Sequence, residues 1–430
     1  MDLDLKVDNT QDEFLWHEAG YERQFKGISN TMLRGLGIND RGVRTVDKIE
    51  DLRESPPNIV IAEAVRNISF IQNFFKVQQL KKKSRYVMGL GVYQQLHFDE
   101  SGKRKILKPA NVQFKKFYRP YIGQNLDDEE LLVFRTGGIG DLLFIQPNLI
   151  YLKEKYPDST INFACGPQYQ AMVDNWLCID NLLDLPFSLK SLTDASYHAL
   201  FEGVIERCKE AHTKNAYNLF SEWLGLNLPD ELLIPRQEAK PKMIQNCQNV
   251  LRKEWGGLEN FILMQLRASS PIRTPRPQFW ANMITKLVAR GHSVVLTDTP
   301  RQAESIETFR KELDDKTNAS VYNFAPFSET LDYTIALAKL AKLVVATDSA
   351  LNHIAASLNT PCYGIYGPFP GFIRLKTYPY ADWVDAQRHC APCFLHGHRP
   401  CQYAGKDGYS PCYDNIDLDE SIDRMEKILK

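Results

Sequence analysis

From residue 131 onward, apolar runs of strand length alternate with longer stretches whose apolar residues recur at helical spacing. This alternation constrains the fold more than any other feature of the chain. Residues 131–134 read as a strand, 135–140 as a loop, and 142–155 as a helix that stops at Tyr156-Pro157. Further strands are expected at 161–165 and, more weakly, 182–185. A second series places strands at 261–266, 293–297, 343–347 and 362–366, with helices at 279–290, 331–340 and 351–358. Strands that alternate with helices form parallel sheets covered on both faces. Between the two series, residues 230–243 carry Pro229, Pro235 and Pro241 among charges and read as a linker. The expected fold is α/β: two Rossmann-like, doubly wound domains facing a cleft, at 126–238 and 239–430, preceded by an α+β extension over 1–125.

Bulk properties agree with this. A chain of 430 residues, 43% hydrophobic, can bury two cores. A formal net charge of −1 excludes a uniformly basic nucleic-acid binder. No run approaches the ~18 apolar residues of a membrane span, and the acidic first nine residues lack the apolar centre of a secretory signal. The chain is read as cytoplasmic, with peripheral contact at the inner membrane face left open. Its nine cysteines are then expected to be reduced, metal-bound or buried.

The extension differs in character. Residues 58–65 suggest a strand, 68–80 a helix, and 86–97 with 106–118 a hairpin around Asp99-Glu100-Ser101-Gly102. Between Lys76 and Arg119, twelve Lys and Arg face two acids, a net of +10, interleaved with Tyr86, Tyr93, Phe98, Phe114, Phe117 and Tyr118. Such a segment is either a solvated basic face or a surface for an anionic partner, nucleic acid or acidic lipid.

Three loops at expected strand ends carry chemistry. In Arg135-Thr136-Gly137-Gly138-Ile139-Gly140-Asp141, three glycines allow close backbone approach to a ligand, beyond the carboxyl end of a strand where α/β sheets bind. Neither common phosphate-loop pattern is present. Asp141 opens the helix, either as an acid that complements the helix dipole or as a base on a hydroxyl. In Asp348-Ser349-Ala350-Leu351-Asn352-His353, Ser349 reads as an N-cap, and the free amides of the helix start suit a pyrophosphate. His353 lies four residues on, on the same side of the first turns. After the strand at 261–266 come Ser269, Ser270, Arg273 and Arg276, hydroxyls and guanidiniums suited to a diphosphate, or else a mobile basic loop.

These motifs resemble glycosyltransferase family nine, the ADP-heptose:lipopolysaccharide heptosyltransferase-like enzymes. The resemblance rests on Gly140-Asp141-Leu142-Leu143 with Pro147 and Tyr156-Pro157, and on Asp348, Ser349, Leu351, His353, Ala355-Ala356, Asn359-Thr360-Pro361 and Gly367-Pro368. It covers about 130–385 and implies a GT-B fold with a nucleotide-diphosphate-sugar donor. It also implies inverting transfer to an acceptor hydroxyl, with Asp141 as general base. Asp348, Ser349, Ala350, Leu351 and His353 would hold the donor, together with Ser269, Ser270 and Arg273 or Arg276, and Thr136, Gly137, Gly138 and Gly140 would lie beside it. Ala350 stands where the family carries glycine. No Asp-x-Asp lies near these loops, so no metal is required by this reading and cations would stabilise the leaving group.

Cys390, Cys393, Cys401 and Cys412 fall within 23 residues and begin with a C-x-x-C chelate spacing, so they read as a structural zinc site or as plain buried thiols. Acceptors in the family are anionic lipopolysaccharide cores, which residues 76–119 would suit. They would equally suit nucleic acid, so a phage-type DNA glycosyltransferase acting on modified bases stands as the alternative. A catalytically idle GT-B protein that binds a nucleotide or nucleic acid is the non-enzymatic reading.

Overall fold

The computed structural model describes strands at 60–61, 85–88, 93–98 and 104–110, and residues 119–429 apart from 136–137, 185–190, 192–193, 202–203 and 396–400. In the extension β1 (Val60–Ile61), β2 (Arg85–Met88), β3 (Tyr93–Phe98) and β4 (Arg104–Ala110) form one sheet in that order. β3 and β4 make the antiparallel hairpin expected around Asp99–Gly102. The single strand expected at 86–97 is instead two antiparallel strands, β2 and β3, with Gly89 and Gly91 between them. The helix expected at 68–80 and most of the basic aromatic segment lie outside the described residues.

The first domain is built on β5 (Glu130–Arg135), α1 (Ile139–Lys155), β6 (Thr160–Cys165), β7 (Asn181–Asp184), β8 (Tyr197–Leu200) and α2 (Ala216–Trp223). Its four strands are parallel, ordered β7-β6-β5-β8. β5 is central and buried along 131–135, which is why it reads as an unbroken apolar run rather than an alternating one. After the connecting segment come α3 (Pro241–Trp255), β9 (Ile262–Gln265), α4 (Pro277–Ala289), β10 (Val294–Leu296), α5 (Ala303–Lys311), β11 (Val321–Asn323), α6 (Leu331–Leu340), β12 (Leu343–Thr347), α7 (Ala350–Ser357), β13 (Cys362–Tyr366), α8 (Phe372–Leu375), β14 (Ala381–Asp385) and α9 (Leu418–Ile428). These six strands are also parallel, ordered β11-β10-β9-β12-β13-β14. Both sheets therefore reverse their winding beside their first strand: between β5 and β8 in one, between β9 and β12 in the other. Ligands of doubly wound folds bind at such reversals, outside the carboxyl ends of the strands.

Pro241, expected to mark the linker, occupies the first turn of α3, where its missing N–H costs nothing. The preceding stretch is strapped to both domains. Arg236 N–H donates to Gln146 Oε1 at 2.7 Å and Gln237 N–H to the Ser357 carbonyl at 2.8 Å. Trp176 Nε1 donates to Gln237 Oε1 at 2.9 Å, and Lys240 pairs with Asp174 and Asp332. One hydrophobic cluster accordingly runs through the first domain and into α6 and α7, joining Phe144, Tyr217 and Phe220 to Leu351, Ile354 and Tyr378. A second lies on the far face of the larger sheet, with Trp280, Met283, Ile422 and Met425. Three strands, β8, β11 and β14, give no clear sequence signal: each lies at a sheet edge, and they are only three to five residues long.

Candidate active site

The two winding reversals bring the expected motifs to apposed places. After β5 the chain turns at Gly138, whose φ of 89° is open to glycine and strained for other residues. α1 starts directly afterwards, so Asp141 stands in its first turn. Its carboxylate folds back over Gly138, where a Cβ would meet Oδ2 at 2.5 Å. Arg135 holds it from the end of β5: Nη2 lies 2.5 Å from Asp141 Oδ2, and Nη1 donates to the Phe201 carbonyl at 2.6 Å, beyond β8. Arg135 thereby ties together the loops on the two sides of the first reversal. Thr136 and Gly137 lie outside the described residues.

Across from this loop stands His353, in the first turns of α7. A Cβ on Gly140 would sit 3.2 Å from His353 Cδ2 and 3.6 Å from Nε2, so the absence of a side chain there lets α1 and α7 meet. Phe144, one turn on, packs edge-on to the imidazole with centroids 4.9 Å apart. On its far side His353 Nδ1 lies 2.8 Å from the Tyr378 hydroxyl. Burial, aided by the Arg374 charge and opposed by Asp348 and Asp141, pushes the His353 pKa down to about 4. The imidazole is neutral at pH 7.

Asp348, buried at the end of β12, collects two guanidiniums. Arg273 Nη1 is 3.3 Å from its Oδ2 and donates to its carbonyl at 2.9 Å, while Arg374 Nε is 3.6 Å from Oδ1. Two cations around one carboxylate leave a net positive charge at the second winding reversal. Arg273 also donates to Ser269 Oγ at 2.6 Å, which fixes the loop after β9. Ser270 is buried beneath that loop and its carbonyl accepts from Thr274. Arg276 points elsewhere: it pairs with Asp407 and Asp414 of the tail, each at 3.2 Å.

Ser349 takes the N-cap dihedrals of α7, yet its hydroxyl donates to Gln265 Oε1 at 3.0 Å rather than accepting from the helix. The first-turn amides are thus left uncapped by a side chain. Leu351 is core, and Ala350, half-buried, is the first helical residue. Asn352 donates to the Thr347 and Ala346 carbonyls, which locks the turn between strand and helix. Asn352, Arg374 and Tyr378 were missed in the sequence. Arg374 and Tyr378 follow the irregular 367–371 stretch, where no periodicity announces a direction.

The four clustered cysteines do converge: Cys390, Cys393, Cys401 and Cys412 line one small cavity with Ile272, Gly367 and Pro368. Each is a free thiol, and among the described residues no three His, Cys, Asp or Glu side chains are set so as to hold a metal ion. The zinc expectation thus meets a grouping of thiols without metal-holding geometry. The segment supports the site from behind, since Ser410 Oγ donates to the Ile272 carbonyl at 3.0 Å under the Arg273 turn. It also reaches the first domain, where Phe394 stacks on His212 at 3.9 Å.

The family model "Glycosyltransferase family 9 (heptosyltransferase)" matches residues 201–403. The match takes in the Ser269–Arg276 and Asp348–His353 segments, but not the Arg135–Asp141 loop. Lipopolysaccharide heptosyltransferase 2 of Escherichia coli (strain K12) is 32% identical over 89 residues, 21% of this chain and 25% of that protein. The alignment therefore spans about a quarter of the relative's length. Among solved structures, a glycosyl transferase family 9 protein from Veillonella parvula DSM 2008 is similar with a TM-score of 0.54 at 14% identity, covering 71% of this chain and 98% of its own. The E. coli ADP-heptose lps heptosyltransferase II gives a TM-score of 0.54 at 16% identity, covering 70% and 98%. These likenesses show the fold, which is GT-B. The resemblance to glycosyltransferase family nine is borne out over the matched residues. No helix among the described residues is long and apolar enough to cross a membrane.

Proposed function

We propose that the protein transfers a sugar from a nucleotide-diphosphate donor to an acceptor hydroxyl by single displacement with inversion, without a catalytic metal. The observation that carries this is the apposition of Asp141 and His353, each at the winding reversal of its own sheet and 212 positions apart in sequence. Asp141 takes the acceptor proton as the hydroxyl oxygen bonds to the anomeric carbon. The bond from that carbon to the diphosphate oxygen breaks, and its electron pair leaves with the diphosphate. The new negative charge meets the uncapped amides of α7 and the guanidiniums of Arg273 and Arg374, with Ser269, Asp348 and Ser349 holding these in place.

ADP-heptose is the first donor to try and a lipopolysaccharide core the first acceptor, because the relative and the solved structure carry these in their names. Such an acceptor would place the enzyme at the inner membrane face. Residues 76–119 are the segment proposed to meet it.

The test pairs binding with turnover. Purified protein is titrated with a panel of nucleoside diphosphates and assayed for transfer, beside Asp141→Asn. Retained nucleotide binding with transfer reduced ~10²–10⁴-fold in the variant fits the reading. Undiminished transfer by Asp141→Asn, or no thermal shift with any nucleoside diphosphate at millimolar concentration, refutes it. Transfer to modified DNA rather than to a glycan would move the acceptor assignment and leave the chemistry in place.

A further inference from the structure

His353 is bonded to a buried residue, Tyr378, that the preceding reading leaves unused. The imidazole ring has two working edges. Nδ1 faces the Tyr378 hydroxyl at 2.8 Å, and the Cδ2–Nε2 edge faces Gly140 in the first turn of α1. Both side chains are almost completely buried, and the aromatic rings of Phe144 and Tyr217 close around them.

We propose that Tyr378 is a positioning residue that fixes His353 in the tautomer protonated at Nε2, so that a neutral N–H faces the start of α1 at Gly140, next to Asp141. The argument is one of hydrogen counting. Burial drives the Tyr378 hydroxyl well above its ordinary titration range, so it keeps its proton. Burial also keeps His353 neutral, with one N–H to place. If that hydrogen were on Nδ1 it would point at the phenol oxygen, and the phenol hydrogen would be left unpaired in a packed interior, an arrangement that proteins avoid. If the phenol donates to Nδ1, its hydrogen is satisfied and the imidazole proton moves to Nε2. The bond made by one ring nitrogen thus sets the state of the other.

The consequence for the reaction rests on the transfer proposed above. In that reading Asp141 accepts a hydrogen bond at the start of α1, and His353 donates one from the facing first turns of α7. A donor sugar hydroxyl or phosphate oxygen would take the His353 hydrogen. An imidazole of the opposite tautomer would present a lone pair there, which repels a phosphate oxygen and can only accept from a hydroxyl. Because the group is neutral, it orients the ligand without neutralising the carboxylate beside it.

The experiment reads the tautomer directly. Full-length protein labelled with ¹⁵N at histidine is examined by long-range proton–nitrogen NMR, with His353 assigned from the signal lost in His353→Gln. The Nε2–H pattern is expected in the ligand-free parent near neutral pH, and a mixture of tautomers in Tyr378→Phe. An Nδ1–H pattern in the parent overturns the proposal, whether or not the variant folds. So does Tyr378→Phe with an unchanged tautomer. In transfer assays Tyr378→Phe should lower kcat/KM by roughly ten- to a hundredfold, the size seen when a partner that orients a metal-binding histidine is lost, and full turnover would overturn the positioning role. If the parent transfers no sugar at all, the reaction reading fails separately, and the tautomer of parent and variant still decides this one.

Discussion

Gly138→Ala isolates the geometry of Asp141 from the stability of the fold. The substitution has two costs of different kind. At φ 89° and ψ 100°, outside the left-handed helical region, an alanine is strained, by roughly 1–3 kcal/mol. Its Cβ would also stand 2.5 Å from Asp141 Oδ2, where ordinary contact begins near 3.4 Å, so the carboxylate must move by about 0.9 Å. That atom is the far end of a flexible side chain, and moving it adds little to the strain. It cannot move without leaving the Arg135 guanidinium that now holds it at 2.5 Å. Stability should therefore fall by about 1–3 kcal/mol, or roughly 2–12 °C. Transfer should fall much further, about 10²-fold, because a displacement near 1 Å at a reacting group has that effect. Melting curves and initial rates with one donor–acceptor pair measure the two separately. A variant that melts a few degrees lower and transfers at the parent rate would refute the assignment of Asp141 as the base, since the carboxylate would have moved without consequence.

Arg273→Ala should raise the Kd for a nucleoside diphosphate about tenfold or more, measured by calorimetry, since it removes a charge-assisted contact. Arg276→Ala should leave that Kd unchanged and cost no more than about 1 kcal/mol, because its partners Asp407 and Asp414 are half-exposed. Equal effects from the two arginines would refute this division. Ser349→Ala should cost about 0.5–1.5 kcal/mol through the lost bond to Gln265 and not through a lost N-cap; urea unfolding should then show that it costs less when Gln265 is already alanine. His353 supplies a pH dependence. Its folded pKa of about 4 lies below the unfolded value of 6.5, so between these values the unfolded state binds more protons. The stabilisation is present above about pH 6.5 and is lost as pH falls towards 4, by about 3 kcal/mol in total. His353→Gln should flatten the melting temperature against pH in that window, and an unchanged slope would refute the buried neutral histidine.

What the sequence disclosed follows from which positions the fold makes uniform. Central strands such as 131–134 and 343–347 are buried on both faces, so they appear as apolar runs, and the loops after them are where a doubly wound sheet must bind. That is why the loops that carry Asp141, Asp348, His353 and the pair Arg273 and Arg276 stand out in the sequence. The choice between Arg273 and Arg276 could not be made, because it depends on a single short turn. Pro271–Arg273 coils into a 3₁₀ turn that directs Arg273 at Asp348, and the chain then extends so that Arg276, capping α4, faces the tail. Arg374 and Tyr378 stayed hidden for a related reason: they come from a four-residue helix and the loop after it, where direction is set by packing against Phe369 and His353. Both act through residues that were legible, Arg374 by sharing the Asp348 carboxylate and Tyr378 by bonding His353. The charge balance at Asp348 shows what this adds. An aspartate alone beside a diphosphate would repel it. With both arginines on it, the acid becomes the anchor of a cationic pair and holds two positive charges where a leaving group would need them.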